Sequence, residues 1–179
     1  MRSPKEIWDV ALRREMPTEA LLLVVDVHRQ RMEVLRHGLS ESAYSVSTSK
    51  HGLGCRACSL KTPIGFHDVA ERYGEGEPPG RVFVDREPRQ RVVPESAWGA
   101  ATGQDLILTR ILRLRGLDDG VNRGPDVDSY ERYIYLHGSD NENALGVKPS
   151  SHGCIHVGNR DLVELFDRAK GCPTWCWIG

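Results

Sequence analysis

Residues 151–157 read Ser-His-Gly-Cys-Ile-His-Val, and residues 133–138 read Tyr-Ile-Tyr-Leu-His-Gly. The second stretch is aromatic and β-branched, so it predicts a strand that ends at His137. Cys154 follows Gly153 at the start of another ordered segment further along the chain. A cysteine nucleophile needs a nearby base or positive charge to form its thiolate. The two stretches therefore indicate a Cys154–His137 pair; the alternative is a buried structural cysteine beside turn histidines.

The glycine before the cysteine favours the catalytic interpretation. Gly153 has no side chain, so it lets the backbone approach a substrate closely. The amides of Gly153 and Cys154 are consecutive donors, an arrangement that can stabilise an oxyanion.

The rest of the chain predicts a mainly-β fold with two helices. Ser3, Pro4 and Glu6 form an N-cap, a first-turn proline and a capping box, and they predict a helix over 4–15 that Pro17 ends. Asn159 is predicted to cap a second helix, which closes at Gly171. Strand signals cover residues 20–27, 31–35, 43–48, 66–70, 81–85, 106–114, 132–137 and 174–178. Residues 86–104 have no clear period, and we expect an N-terminal helical segment at 1–19 before a single domain at 20–179.

Composition excludes several classes of protein. The 179 residues are 39% hydrophobic and 27% charged, which is typical of neither a disordered chain nor a membrane protein. The net charge of −1 supplies no global positive field for a nucleic acid. The longest apolar run, residues 21–25, is too short to span a bilayer. Residues 1–17 carry charges without a signal-peptide core, and the 5 cysteines are an odd number, so we expect a cytoplasmic protein with reduced thiols.

The spelling of these stretches resembles a known family. Ser-His-Gly-Cys before an aliphatic residue, with an upstream His-Gly, is similar to the active-site signature of the YkuD-type L,D-transpeptidases. Residues 23–34 resemble the family's opening hairpin, residues 47–48 and 59–65 resemble its Ser-Thr and Ser-x-Lys-Thr-Pro-x-Gly stretches, and residues 159–165 resemble the helix after the cysteine. The resemblance covers most of residues 20–179. It implies a YkuD-like β-sandwich of mixed and antiparallel strands.

The resemblance also implies roles for individual residues. Cys154 would be the nucleophile and His137 its general base, oriented by the main-chain carbonyl of His152. Amides near Gly153 and Cys154 would form the oxyanion hole, and the Ser151 hydroxyl would support the loop.

Three further residues are predicted to contact substrate. Arg110 lies on a strand expected to flank the cleft, where its guanidinium can bind a carboxylate; a solvent-facing strand arginine is the alternative. Gly138 and His156 complete the set, although the family more often has Arg or Asn where this chain has His156.

The remaining four cysteines form two pairs in the sequence, Cys55 with Cys58 and Cys172 with Cys176. A zinc site of four thiolates would require the two pairs to lie together in the fold. Their spacing is a weak zinc signal, and we expect incidental free thiols, no metal and no cofactor.

Two activities begin alike. The resemblance implies a cysteine acyl-transfer enzyme of peptidoglycan stem peptides, in which the Cys154 thiolate would attack the L,D bond to a terminal D-alanine and D-alanine would leave. Water then gives an L,D-carboxypeptidase, whereas an amine gives an L,D-transpeptidase that forms 3–3 crosslinks or exchanges D-amino acids. Residues 108–117 and 130–138 resemble a signal-less subgroup with murein tetrapeptide carboxypeptidase activity, so we expect the hydrolase, acting on muropeptides during recycling. An inactive muropeptide-binding module is the remaining alternative.

Overall fold

The computed structural model describes residues 2–179, so position 1 of the predicted segment 1–19 lies outside the described residues. Within these residues there are two α-helices, ten strands and two short 3-10 helices at Glu95–Ala97 and Glu142–Ala144. The helices are α1 (Pro4–Arg13) and α2 (Asn159–Ala169). The strands are β1 (Leu21–Asp26), β2 (Arg31–Arg36), β3 (Leu39–Ser47), β4 (Gly65–Tyr73), β5 (Arg81–Val84), β6 (Glu87–Val92), β7 (Ile107–Gly116), β8 (Tyr135–Gly138), β9 (Ile155–Val157) and β10 (Thr174–Ile178).

The strands form one sheet in the order β4-β10-β1-β2-β3-β9-β8-β7-β5-β6. A further pairing of β4 with β7 closes the first eight of these strands into a ring. Two pairs, β1–β10 and β8–β9, are parallel, and the other pairs are antiparallel. The predicted mainly-β fold with mixed strands is confirmed, and the two faces of the predicted sandwich join along β4 and β7.

The alternation of side chains along β1 separates two cores. Leu21, Leu23 and Val25 belong to the main core, which α2 covers with apolar side chains. Leu22 and Val24 face the other way, towards α1. Because side chains of a strand point alternately to its two faces, a continuous apolar run is what a strand covered on both faces requires.

The helix α1 follows its sequence signals. Its Ser3 side chain and Glu6 make both hydrogen bonds of a capping box. Ile7, Trp8 and Ala11 are buried against β1 and β2, on the opposite side of the ring wall from the main core. The helix therefore leaves the surface around Cys154 uncovered.

Three predictions about elements need correction. The strand predicted over 132–137 begins only at Tyr135, because Tyr133 adopts φ = 55° in a turn. The strand β6 lies within residues 86–104, where no strand was predicted. All six of its residues are exposed, so neither face has the apolar pattern by which a strand is recognised. Asn159 is the first residue of α2, and Gly158 occupies the N-cap position.

None of the helices described within residues 2–179 combines the length and apolar character needed to cross a membrane.

Candidate active site

The parallel pair β8–β9 positions the two predicted catalytic side chains. Leu136 pairs with Ile155 and both lie in the main core, so His137 and its partner His156 point to the opposite face. Cys154 immediately precedes β9 and, two residues before His156, lies on the same face. His137 and Cys154 are thus diagonal neighbours on adjacent strands, a placement in which side chains can meet.

The Cys154 side chain is half-buried in an apolar wall. It packs against Phe83, Ile111 and Tyr135, and its Sγ lies 3.5 Å from the main-chain oxygen of Tyr133. Burial raises the pKa of the thiol to about 12, and the backbone N–H of Tyr135 opposes this increase only in part. At neutral pH the side chain of Cys154, the predicted nucleophile, is therefore a thiol.

His137 is buried and held in one orientation. Its Nδ1 donates a hydrogen bond to the carbonyl oxygen of Gly138 at 2.8 Å. Because a carbonyl only accepts, Nδ1 carries the proton of the neutral ring and Nε2 is left with its lone pair. Burial, followed by the charge of the adjacent His156, lowers the pKa of His137 to about 4. At neutral pH the pair is a neutral imidazole and a thiol, the states required of a base and a proton donor.

The orienting carbonyl is the first correction to the predicted site. It belongs to Gly138 instead of His152, whose side chain reaches out to Asp105. A direct substrate contact by Gly138 is not supported either, because the residue is buried and a Cβ there would stand 2.2 Å from Asn159 Oδ1. Because Gly138 has no side chain, β8 can pass close to Asn159, and the Gly138 carbonyl fixes the orientation of the His137 ring.

The turn that presents Cys154 is held from both sides. The Ser151 hydroxyl donates to the Cys154 carbonyl and accepts the Gly153 amide at 3.3 Å. Gly153 has φ = 129°, a conformation that strains any other residue. Thr62, from the stretch at 59–65, donates to the Gly153 carbonyl at 3.0 Å. Of the two amides predicted to form an oxyanion hole, the Gly153 amide is therefore engaged with the Ser151 hydroxyl.

His156 is the second correction, because it is 1% exposed and has no surface to offer a substrate. Its ring packs edge-on against His137 with centroids 4.9 Å apart. On its other side, Nε2 lies 2.9 Å from Oδ1 of Asp105, a distance typical of an ion pair but at an angle too poor for a hydrogen bond. Asp105 also contacts Nδ1 of His152, and burial of Asp105 is outweighed by its contacts with the two histidines, so its pKa is lowered.

Arg110 is the third correction. Its Nη1 donates to the carbonyls of Glu77 and Thr109, both at 2.7 Å, and its guanidinium lies over the ring of Phe166 of α2. The side chain is 6% exposed and faces the helix side of β7. Because Cys154 packs with Ile111 on the other face, Arg110 supports the fold and does not reach the cleft.

Other cationic residues, which the sequence interpretation did not single out, lie near Cys154. Arg113 projects from the same face of β7 as Ile111, Arg132 precedes β8, and Arg86 forms the tip of the β5–β6 hairpin. The signal available in the sequence was the parity of β7, since Arg113 and Ile111 are two residues apart. No sequence pattern indicated that the β5–β6 hairpin would bring Arg86 near Cys154.

The four remaining cysteines do not come together. Cys55 and Cys58 lie in the loop before β4, whereas Cys172 and Cys176 lie at α2 and in the main core. Within residues 2–179 no group of three histidine, cysteine or acidic side chains is placed to hold a metal ion. A cavity of about 170 Å³ adjoins the site and is lined by Lys50, Asp105, Asp140 and His152 among others. Another cavity, of about 590 Å³, lies beside α1 and is lined by none of the residues predicted for the site.

Comparison with known proteins agrees with this geometry. Residues 21–174 match the L,D-transpeptidase catalytic domain of the YkuD family. No curated protein matches the chain significantly.

Solved structures with the same fold are distant in sequence. L,D-transpeptidase 3 from Mycobacterium tuberculosis has 15% identity and a TM-score of 0.52, covering 88% of this chain and 60% of its own. An L,D-transpeptidase from Mycobacterium smegmatis has 17% identity and a TM-score of 0.50, with 89% and 59% covered. The transpeptidase LdtMt1, solved in complex with imipenem, has 20% identity and a TM-score of 0.51, with 88% and 58% covered. The chain thus spans less than two thirds of the length of these structures, and the likeness establishes the fold.

The family match extends over most of the chain and includes the Cys154 turn, so this chain belongs to the YkuD family of L,D-transpeptidase catalytic domains.

Proposed function

We propose that this protein is a cysteine L,D-carboxypeptidase that removes the terminal D-alanine from tetrapeptide stems of muropeptides. The observation that carries the proposal is the placement of Cys154 and His137 on one face of β8–β9, with the Gly138 carbonyl fixing the imidazole tautomer.

The reaction begins with a proton transfer. As Sγ of Cys154 attacks the carbonyl carbon of the diamino acid, its proton passes to Nε2 of His137, the ring nitrogen that Gly138 leaves unprotonated. The carbonyl oxygen takes the negative charge of the tetrahedral intermediate, and the Cys154 amide stabilises it. The C–N bond then breaks, His137 returns the proton to the leaving amine, and D-alanine departs from a thioester.

Water completes the cycle. His137 accepts a proton from water, the resulting hydroxide adds to the thioester carbonyl, and the C–S bond breaks to release the tripeptide. The Cys154 sulfur recovers its proton from the imidazolium, so the enzyme is regenerated without a cofactor.

The hydrolytic branch is supported by the resemblance of residues 108–117 and 130–138 to the carboxypeptidase subgroup. These two segments are neighbours in the sheet, where Arg113 pairs with Tyr135 and Ile111 with His137. The resemblance therefore falls on the wall of the cleft, which contacts the substrate. We also propose that the reaction takes place in the cytoplasm, where soluble muropeptides returned for recycling and nucleotide-linked precursors are the available stems.

Mass spectrometry of a disaccharide-tetrapeptide incubated with the enzyme tests the proposal. The expected product is the disaccharide-tripeptide, lighter by one D-alanine residue, with Cys154→Ala as the inactive control. A parallel incubation with an added D-amino acid or a second stem peptide tests the competing activity. Exchange products or dimers in place of the tripeptide would reject the hydrolase in favour of a transpeptidase, and binding without any turnover would indicate an inactive module.

A further inference from the structure

Three guanidinium groups lie near Cys154, and two of them are held by an ion pair or by several main-chain oxygens. Arg113 pairs with Glu71 at 2.9 Å and donates to the Tyr130 carbonyl at 2.9 Å. Arg132 donates to carbonyl oxygens of the loop before β4, at 2.9 Å for Cys55 and 2.6 Å for Lys61. These two residues hold the walls of the cleft together.

Arg86 differs from both. It occupies the second position of the two-residue turn between β5 and β6, where Asp85 and Arg86 have φ = 52° and 70°. Positive φ at both positions is the mark of a type I′ turn, the tight connection that suits the twist of a hairpin. None of the ion pairs found within residues 2–179 includes Arg86.

Two tyrosines fix the position of the Arg86 guanidinium. Its Nη1 donates to the hydroxyl of Tyr135 at 3.2 Å, and its carbon lies 5.0 Å from the centre of the Tyr133 ring. Both tyrosines also contact the nucleophile, because Tyr135 packs against Cys154 and the Tyr133 carbonyl lies 3.5 Å from Sγ. A cation without an anionic partner is therefore held one side chain away from the reactive sulfur.

We propose that Arg86 binds a stem-peptide carboxylate next to the scissile bond, an inference that rests on the proposed function. The first candidate is the carboxylate of the leaving D-alanine. Covalent geometry places this carboxylate carbon only about 3–4 Å from the attacked carbonyl carbon. A guanidinium presents parallel N–H groups that match a carboxylate, and only Nη1 is committed to Tyr135. A diamino acid with a side-chain carboxylate is the second source of the same chemistry.

Binding to the Cys154→Ala protein tests the inference without requiring turnover. Calorimetry would compare the dissociation constants of the Cys154→Ala protein and of the same protein carrying Arg86→Gln. The three ligands are a free tetrapeptide, the same peptide with a terminal amide, and a tetrapeptide with lysine as the diamino acid. We expect Arg86→Gln to weaken binding of the free tetrapeptide by about 10- to 100-fold, the usual range for a charge-assisted hydrogen bond. Arg91→Gln is the matched control, because it removes an exposed guanidinium from the same hairpin.

The ligands separate the possible sources of the carboxylate. A loss that disappears with the terminal amide assigns Arg86 to the leaving D-alanine, and a loss that disappears with the lysine peptide assigns it to the diamino acid. An equal loss for all three ligands, or no loss, would overturn the inference. Arg86→Lys should recover part of the affinity, since it keeps the charge without the planar fork.

Turnover keeps the two proposals distinguishable. In the active enzyme, Arg86→Gln should raise KM for the free tetrapeptide while kcat changes much less. If the wild-type protein binds the tetrapeptide through Arg86 but releases no D-alanine, the hydrolase is rejected and the carboxylate site stands.

Discussion

The acid limb of the pH–rate profile tests the electrostatics of the site directly. His137 acts as a base only when neutral, and burial lowers its pKa to about 4 from an ordinary value of 6.5. With a pKa of about 4, roughly 97% of His137 is neutral at pH 5.5, whereas a pKa of 6.5 would leave roughly 9% neutral. Between pH 7.5 and pH 5.5, kcat/KM should therefore fall by less than about 10%, compared with about tenfold for an unperturbed histidine.

The assay is D-alanine release at low substrate concentration over pH 4 to 8, with circular dichroism at each pH to confirm that the protein is folded. The groups facing His137 are His156, Asp105 and Cys154. The charge of His156 also lowers the pKa of His137, although burial is the larger cause. His156→Gln should therefore shift the acid limb to higher pH, by only part of the difference between pH 4 and pH 6.5. A tenfold fall in kcat/KM by pH 5.5 in the folded wild-type enzyme would refute the reasoning.

The same logic applies to the thiol. Since burial raises the pKa of Cys154, iodoacetamide should alkylate it more slowly at pH 7.5 than it alkylates free cysteine. Rapid alkylation that is independent of pH between 5 and 8 would instead reveal a thiolate–imidazolium ion pair.

Four other variants test the site and the fold. Cys154→Ala should abolish D-alanine release without a change in Tm, and His137→Ala should lower kcat/KM by about 10²- to 10⁴-fold; equal activity of either variant would reject its assignment. Gly138→Ala places a Cβ 2.2 Å from Asn159 Oδ1, so it should lower the free energy of unfolding by about 1–3 kcal/mol and reduce kcat, and an unchanged urea midpoint would contradict this packing. Burial lowers the pKa of His67 to about 4, so the wild-type protein loses stability as the pH falls from 6.5 to 4. His67→Gln should therefore reduce the loss of unfolding free energy between pH 7.5 and 4.5 by roughly 2–3 kcal/mol. An equal loss in both proteins would exclude His67 as its cause.

Much of the fold was predictable because its signals are local. The capping box of Ser3 and Glu6 marked α1, and the apolar run from Leu21 marked a strand covered on both faces. The strand over 132–137 was predicted too long because β-propensity does not register the turn at Tyr133. There the Asp128 carboxylate accepts the amides of Tyr130 and Glu131 and stops the chain from extending.

The predicted site residues that the structure brings together belong to the motif itself, whereas the contacts that were not predicted join residues distant in sequence. The turn around Cys154 and the strand end at His137 are local, so their residues could be identified from sequence. Asp105 meets His152 and His156 only through the fold, from a segment that has no periodic pattern. Arg110 was predicted because its strand was expected to flank the cleft. It shares the parity of Leu112 and Leu114, which lie in the main core, and its guanidinium lies over Phe166 of α2.

Closure of the strand ring has a consequence for association between molecules. A ring of paired strands leaves few main-chain donors and acceptors open, and among the strands described here β6 pairs on one side only. That strand contains Pro88, which lacks an N–H, and the charged residues Arg89 and Arg91, all of them exposed. Proline and like charges oppose addition of another strand. The chain therefore carries its β5–β6 hairpin at the open edge of the sheet without offering that edge as a template for aggregation.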